Sequence, residues 1–326
     1  MTMYEKGALG VVCALVAVIV AAAAVQPPAS ATVSPKATLM LPPTIPLPPP
    51  LTRPRVRSAE EGLFVFSTAT KPNDSFTGIG YDLDSVVAGD VRVPRVFLGS
   101  IPPDMAEIAP VEVRKSVFFK SVLPLILQVN EEILSDRRRL WSLRHRIAMG
   151  NRLDGLDHLW LAVLAKRYGV ARDDLDTLLA RVDIIPPSLA LAQSAEESGW
   201  GTSRFVREGN ALFGQWVFGA DGHQVPRRRD AGKNHKIKAF DSLLNSVRAY
   251  ADNLNTHGAY GRFRRARATA RADGRPLDGL ALASTMIRYS ERREDYVRSI
   301  RTIILANDLS RLDDARLHEN AVEPPI

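Results

Sequence analysis

The residues best suited to chemistry are the adjacent glutamates Glu196 and Glu197, which close the run from Pro186 to Ser198 just before Gly199. Prolines at the start, good helix formers through the middle and a glycine after the end predict one helix here, with Gly199 as its left-handed stop. Both glutamates then occupy the last turn, where unpaired carbonyls carry partial negative charge. A carboxylate is disfavoured there, so the pKa of Glu197 is expected to rise. Glycoside cleavage needs such a group, because glycosidic oxygen leaves poorly unless a carboxylic acid protonates it. Projection at about 100° per residue puts Leu189, Leu191, Ala192 and Ala195 on one arc and Gln193, Ser194, Glu197 and Ser198 on the other. Glu197 is thus expected to point away from the core, while Glu196 falls within the apolar arc. On spacing alone, a solvated helix-end carboxylate is the commoner account of either glutamate.

The elements that must position this helix are themselves mostly helical. After Pro110, Val113, Val117, Phe118, Val122, Leu125 and Ile126 recur at helical spacing, and the pattern runs on to Leu143 with a kink or break expected at Pro124. Leu156 to Tyr168, Arg172 to Val182, Leu243 to Leu254 and Leu277 to Ala306 also have helical periodicity. Between Phe213 and Asp241, glycines and the alternating run His235 to Phe240 predict a small β-hairpin lobe. The expected fold class is α+β, mostly helical.

The chain of 326 residues is 45% hydrophobic and 24% charged, enough to build a core without staples. Its one cysteine, Cys13, excludes disulfides and thiolate metal sites elsewhere. An uncharged run from Ala8 to Val25 follows Lys6 and precedes Ala29-Ser30-Ala31, so residues 1–31 read as an export signal or a retained membrane anchor. Residues 32–59 read as a proline-rich linker. A mixed segment follows over 60–110, then the main domain over 111–310 and a tail over 311–326. The formal net charge of +7 favours an anionic partner.

The stretch Leu191 to Gly201, reading Leu-Ala-Gln-Ser-Ala-Glu-Glu-Ser-Gly-Trp-Gly, closely resembles the signature of the bacterial glucosaminidase family, whose type description is mannosyl-glycoprotein endo-beta-N-acetylglucosaminidase. Asn210 to Gly214 resembles the family's next block, and Phe240-Asp241-Ser242 with Ser246, Tyr250 and Leu254 its helix after the hairpin. Gly214-Gln215-Trp216, Asn255-Thr256-His257 and Tyr289 to Arg292 resemble its Bax-type branch, unrelated to the animal apoptosis protein. The resemblance spans roughly residues 111–309. It implies a lysozyme-like fold and a periplasmic or envelope hydrolase acting on the β-1,4 bonds of peptidoglycan strands. By the same carry-over, Glu197 is the general acid, Tyr289 supports the cleaved bond, and Trp216 with Gln215 holds sugar.

Flagellar relatives carry a second acid on the hairpin, and no residue here matches it plainly. Asp221, Asp230 and Asp241 are candidates, though aspartates in such places are more often turn or cap residues. Substrate assistance, in which the sugar's acetamido group replaces the protein nucleophile, is the other route. No cofactor, metal or nucleic acid is implied: Gly209-x4-Gly214 lacks the phosphate-loop lysine and the six histidines show no zinc spacing. The arginines from Arg262 to Arg271 read as solvated faces. A lytic transglycosylase or a non-catalytic wall-binding scaffold are the alternatives.

Overall fold

The computed structural model describes the backbone at 63–64, 72–214, 216–218, 223–224 and 235–319, and side chains at 73–214 and 239–319. The expected signal or anchor and the proline-rich linker lie outside the described residues, as do Gln215, Asp221 and Asp230. Among the described residues no helix is long and apolar enough to cross a membrane.

The fold is predominantly helical. Strand β1 (Leu63–Phe64) pairs in parallel with β2 (Phe97–Leu98), and between them lie helices α1 (Pro72–Gly78) and α2 (Leu83–Ala88). Then come α3 (Val111–Ala148), α4 (Gly155–Arg167), α5 (Leu175–Arg181), α6 (Pro187–Ser198) and α7 (Arg204–Gly209). Three short strands, β3 (Trp216–Phe218), β4 (His223–Gln224) and β5 (His235–Lys238), pair antiparallel in the order β3-β5-β4. Only their backbone is described, with Trp216 opposite Ile237 and His223 opposite Lys238. The described residues continue with α8 (Leu243–Thr256), α9 (Gly261–Ala272), α10 (Gly279–Ala283), α11 (Glu294–Ala306) and a tight turn over Leu309–Asp314.

Helix α3 runs unbroken through Pro124, so of the kink or break expected there the break does not occur. Proline there removes one donor and costs about 3 kcal/mol. Every residue from Val117 to Asn130 is buried, with α6 and α8 packed on this helix, and that burial offsets the cost. The periodic run Leu277 to Ala306, by contrast, is not one helix. It breaks after Ala283, makes a tight turn over Met286–Arg288, and restarts only after Arg293, whose φ is 48°. Two separate apolar stripes, Leu282-Ala283-Met286 and Tyr296-Ile300-Ile304, had merged into one apparent period.

The arginine cluster is a solvated face only in part, since of its members only Arg262, Arg265 and Arg271 are exposed. It forms α9, in which Arg264 and Arg267 are buried. Arg267 is 0% exposed and donates to the carbonyls of Ala180, Arg181, Asp183 and Ile184 and to Asn255 Oδ1 at 2.8–3.3 Å. It thereby satisfies acceptors left open at the end of α5. Burial pulls its guanidinium down to about 10, so it keeps its charge at neutrality. Asp183 answers that charge: burial pushes its carboxyl up, but the bond from Arg271 and the charges of Arg267 and Arg137 outweigh burial and hold it below the usual range.

Candidate active site

Helix α6 begins and ends on explicit anchors. Asn130 on α3 exchanges hydrogen bonds with the backbone of Ile185, donating at 2.8 Å and accepting at 3.1 Å, which fixes the entry to Pro186-Pro187. Asp313 accepts from the Ser188 amide and hydroxyl and from the Gly279 amide, capping α6 and α10 with one carboxylate. Burial pushes that carboxyl up to about 6 against those same hydrogen bonds. At the far end Gly199 takes the left-handed conformation expected of it, φ 58°. Trp200 and Gly201 follow at φ 58° and 78°, and a Cβ on Gly201 would stand 3.2 Å from Ile101, Met105 and Phe118. Glycine is needed there for space as well as for φ.

The polar arc of α6 does not face solvent. Gln193, Ser194 and Ser198 are fully buried, so only Glu196 and Glu197 in the last turn reach solvent. Its polar residues are part of an ordered chain. The Tyr250 hydroxyl donates to Gln193 Oε1 at 2.6 Å, and Gln193 Nε2 donates to the Tyr296 hydroxyl at 2.9 Å. Tyr296 in turn is hydrogen-bonded to the Glu197 carboxylate, which as an acceptor leaves the phenol as donor. Tyr289 stacks on Tyr296 with ring centroids 5.4 Å apart and donates to the Phe213 carbonyl at 3.2 Å. The break between α10 and α11 is what turns Tyr289 inward.

The loop after α7 closes over Glu197. Asn210 takes φ 50° and donates to the Phe240 carbonyl, and the Leu212 amide donates to Ser246 on α8. Phe213 stacks on Tyr250 at 3.8 Å. Gly214 follows at φ 56°, and a Cβ built on it would lie 2.9 Å from Glu197 Oε2. Backbone thus roofs the carboxyl where no side chain fits.

Glu197 is half-buried, and its carboxyl is pushed up to about 7. Burial is the leading cause. The Tyr296 hydrogen bond opposes it, the neighbouring charge of Glu196 adds to it, and Arg292 opposes again. The raised value expected from the helix end therefore has a different principal origin, namely removal from water. Glu196, the residue that periodicity put in the apolar arc, is paired with Arg292 at 2.5 Å. The same guanidinium donates to Ser299 on α11.

Of the residues expected from sequence to form the site, the fold brings Glu197 and Tyr289 together through Tyr296. Asp241 is exposed one residue before Ser242, the cap of α8. Trp216 is described only as strand backbone. Sequence reading passed over Tyr296, whose only signal was an aromatic within a helical period, and did not find the Tyr250–Gln193 bond. The carboxyl-bearing helix end, its glycine roof and the tyrosine wall make a half-enclosed proton donor. A model of the family described as mannosyl-glycoprotein endo-beta-N-acetylglucosaminidase matches residues 173–309. Protein bax of Escherichia coli (strain K12) is 34% identical over 200 residues, covering 60% of this chain and 70% of that protein.

The chain belongs to the glucosaminidase family. No solved structure matches it. The family match starts just before α5 and ends at Leu309, so it takes in α6, the Gly214 loop, Tyr289 and Tyr296. Helix α3, which anchors the entry to α6, lies before it. Membership implies a glycan-hydrolase domain, and the stretches at Asn210 to Gly214 and around Tyr250 that roof and wall Glu197 fall within the matched residues.

Proposed function

We propose that the protein hydrolyses the β-1,4 bond on the reducing side of N-acetylglucosamine in peptidoglycan, within a lysozyme-like fold, with Glu197 as general acid. The observation that carries this reading is a half-buried carboxyl, pushed up to about 7, at the end of a fully packed helix and under a glycine roof. A group so placed keeps its proton near neutrality. The proton passes to the glycosidic oxygen as the bond from the anomeric carbon breaks. Ionised Glu197 then takes a proton from the water whose oxygen completes the anomeric carbon. Tyr296 stabilises the carboxylate between these steps, and Tyr289 holds Tyr296 and the Phe213 carbonyl in place.

Glu196 is held by Arg292, which favours substrate assistance for the second role: the 2-acetamido oxygen bonds the anomeric carbon before water replaces it. Asp221, Asp230 and Asp241 are the protein alternatives. The apolar run after Lys6, the proline-rich linker and the basic balance support an exported, envelope location. The test is digestion of purified peptidoglycan by wild type beside Glu197→Gln, with products identified by mass. Reducing N-acetylglucosamine ends from wild type, and at least about a hundredfold fewer from the variant, are expected. Equal release by both would refute the role of Glu197. Anhydro ends would make the protein a lytic transglycosylase, and binding with no product from either would make it a scaffold.

A further inference from the structure

Helix α4 is apolar on both sides. Leu161, Leu164 and Ala165 face the core, yet Leu156, Leu159 and Val163 on the outward side are 75%, 62% and 60% exposed. Their spacing of three and four puts them in one stripe. Isolated surface hydrophobes are ordinary, but a helix that is apolar all round is normally covered.

The surrounding charge indicates by what. Residues 138–167 contain seven lysines and arginines and two aspartates. Arg144 is paired with Asp176, and Arg167 with Asp136 and Asp252, so the exposed cations with no ion pair among the described residues are Arg138, Arg152 and Lys166. Arg152 precedes the stripe and Lys166 follows it, both exposed. Arg139 flanks it, its guanidinium 4.4 Å over the Trp160 ring. Of the two aspartates, Asp157 is already held by Arg139 and Arg146 at 3.1 and 2.6 Å. A second copy docked here would set like charge against like. A purely polar anionic polymer would match the arginines and leave the aliphatic stripe in water. A bilayer interface satisfies both, taking Leu and Val at the acyl boundary and arginine heads among phosphates.

We propose that the outward face of α4 docks on the anionic surface of a lipid bilayer, independently of any anchoring by the amino-terminal run. This face is separate from the Glu197 site, and the proposal does not depend on the reaction assigned there.

Cys13 is the only cysteine, so the full chain carrying Cys13→Ser and Leu159→Cys takes a single environment-sensitive nitrobenzoxadiazole label on the face itself. The same label at Asp90→Cys, an exposed turn position after α2, is the control. With vesicles of equal phosphatidylglycerol and phosphatidylethanolamine, the label at 159 is expected to brighten and shift to the blue. It should respond far less to phosphatidylcholine vesicles, and the label at 90 to neither. Adding Arg152→Gln should raise the lipid concentration at half-response about fivefold. A chain tethered by its amino-terminal run while α4 stays in water would leave the label at 159 unshifted, and that overturns the proposal. Emission already blue-shifted without vesicles would overturn it too, showing a second copy if it grows with protein concentration and the chain's own cover if it does not.

Discussion

A carboxyl held protonated by the fold must destabilise the fold once it is forced to ionise, and at Glu197 the size of that effect follows from the structure. The native group titrates at about 7 against an ordinary value of 4.5. At 1.36 kcal/mol for each tenfold change in proton affinity, the gap is worth about 3 kcal/mol. Solvent reaches part of the side chain, so about 2–3 kcal/mol is the expectation. Between these two values the native state binds the proton that the unfolded chain has released, so stability falls as pH rises. Below about pH 4 both states are protonated and the contribution is fully present; above about pH 8 it is fully lost.

Glu197→Gln removes the titration while leaving an amide oxygen to accept from Tyr296. Urea unfolding of both proteins across this range, taken as a difference, cancels every group they share, Asp313 included. The two should be similar near pH 4, and the variant more stable by about 2–3 kcal/mol near pH 8. A difference that does not change with pH, or a wild type that gains on the variant at alkaline pH, would refute the argument that burial raises this group.

Three further changes test the rest of the site. Gly214→Ala puts a methyl 2.9 Å from Glu197 Oε2 at φ 56°, so about 1 kcal/mol of strain and, through a displaced carboxyl, an approximately hundredfold fall in turnover are expected, read by unfolding and by product release. Tyr296→Phe removes a donor that favours the ionised acid; the alkaline limb of the pH–rate profile should move upward, and a downward shift would contradict the assigned hydrogen bond. Arg267→Leu strips the carbonyls at the end of α5 and leaves Asp183 undercompensated inside the protein, a loss of about 3–5 kcal/mol by urea unfolding.

Helix α6 was legible because its signals are local: prolines at one end, a glycine in the left-handed conformation at the other, and twelve residues between. Its surroundings were not. Projection divided α6 into an apolar and a polar arc and turned Glu197 away from the core, but it could not show that Gln193 is buried because Tyr250 and Tyr296, 57 and 103 residues away, complete its hydrogen bonds. No local period encodes such partners. The same limit explains Arg267, which reads as surface until the carbonyls of α5 are brought to it. The tyrosine block at Tyr289 carried the family likeness, but the break that aims it inward hid within a run that looked continuous.

Arg267 shares its physical role with polar residues that no local pattern singles out. Arg267 and Asp183, Asn130 at Ile185, and Asp313 at Ser188 and Gly279 are buried or half-buried polar groups that join segments distant in sequence. All lie at the start of α6 or behind it. Burying such groups costs stability unless their partners are placed well, and here the partners within hydrogen-bond distance are backbone groups, the Ser188 hydroxyl, the Asn255 amide oxygen and, for Asp183, the Arg271 guanidinium. The start of α6 is thereby fixed in position and rotation. Ten helical steps, about 15 Å, carry that orientation from Pro187 to Glu197. A carboxyl that must be dry enough to hold a proton, yet open enough to deliver it, tolerates little rotation of its helix. The polar joints behind α6 and the tyrosine chain beside Glu197 are therefore two parts of one requirement, met from opposite ends of the same helix.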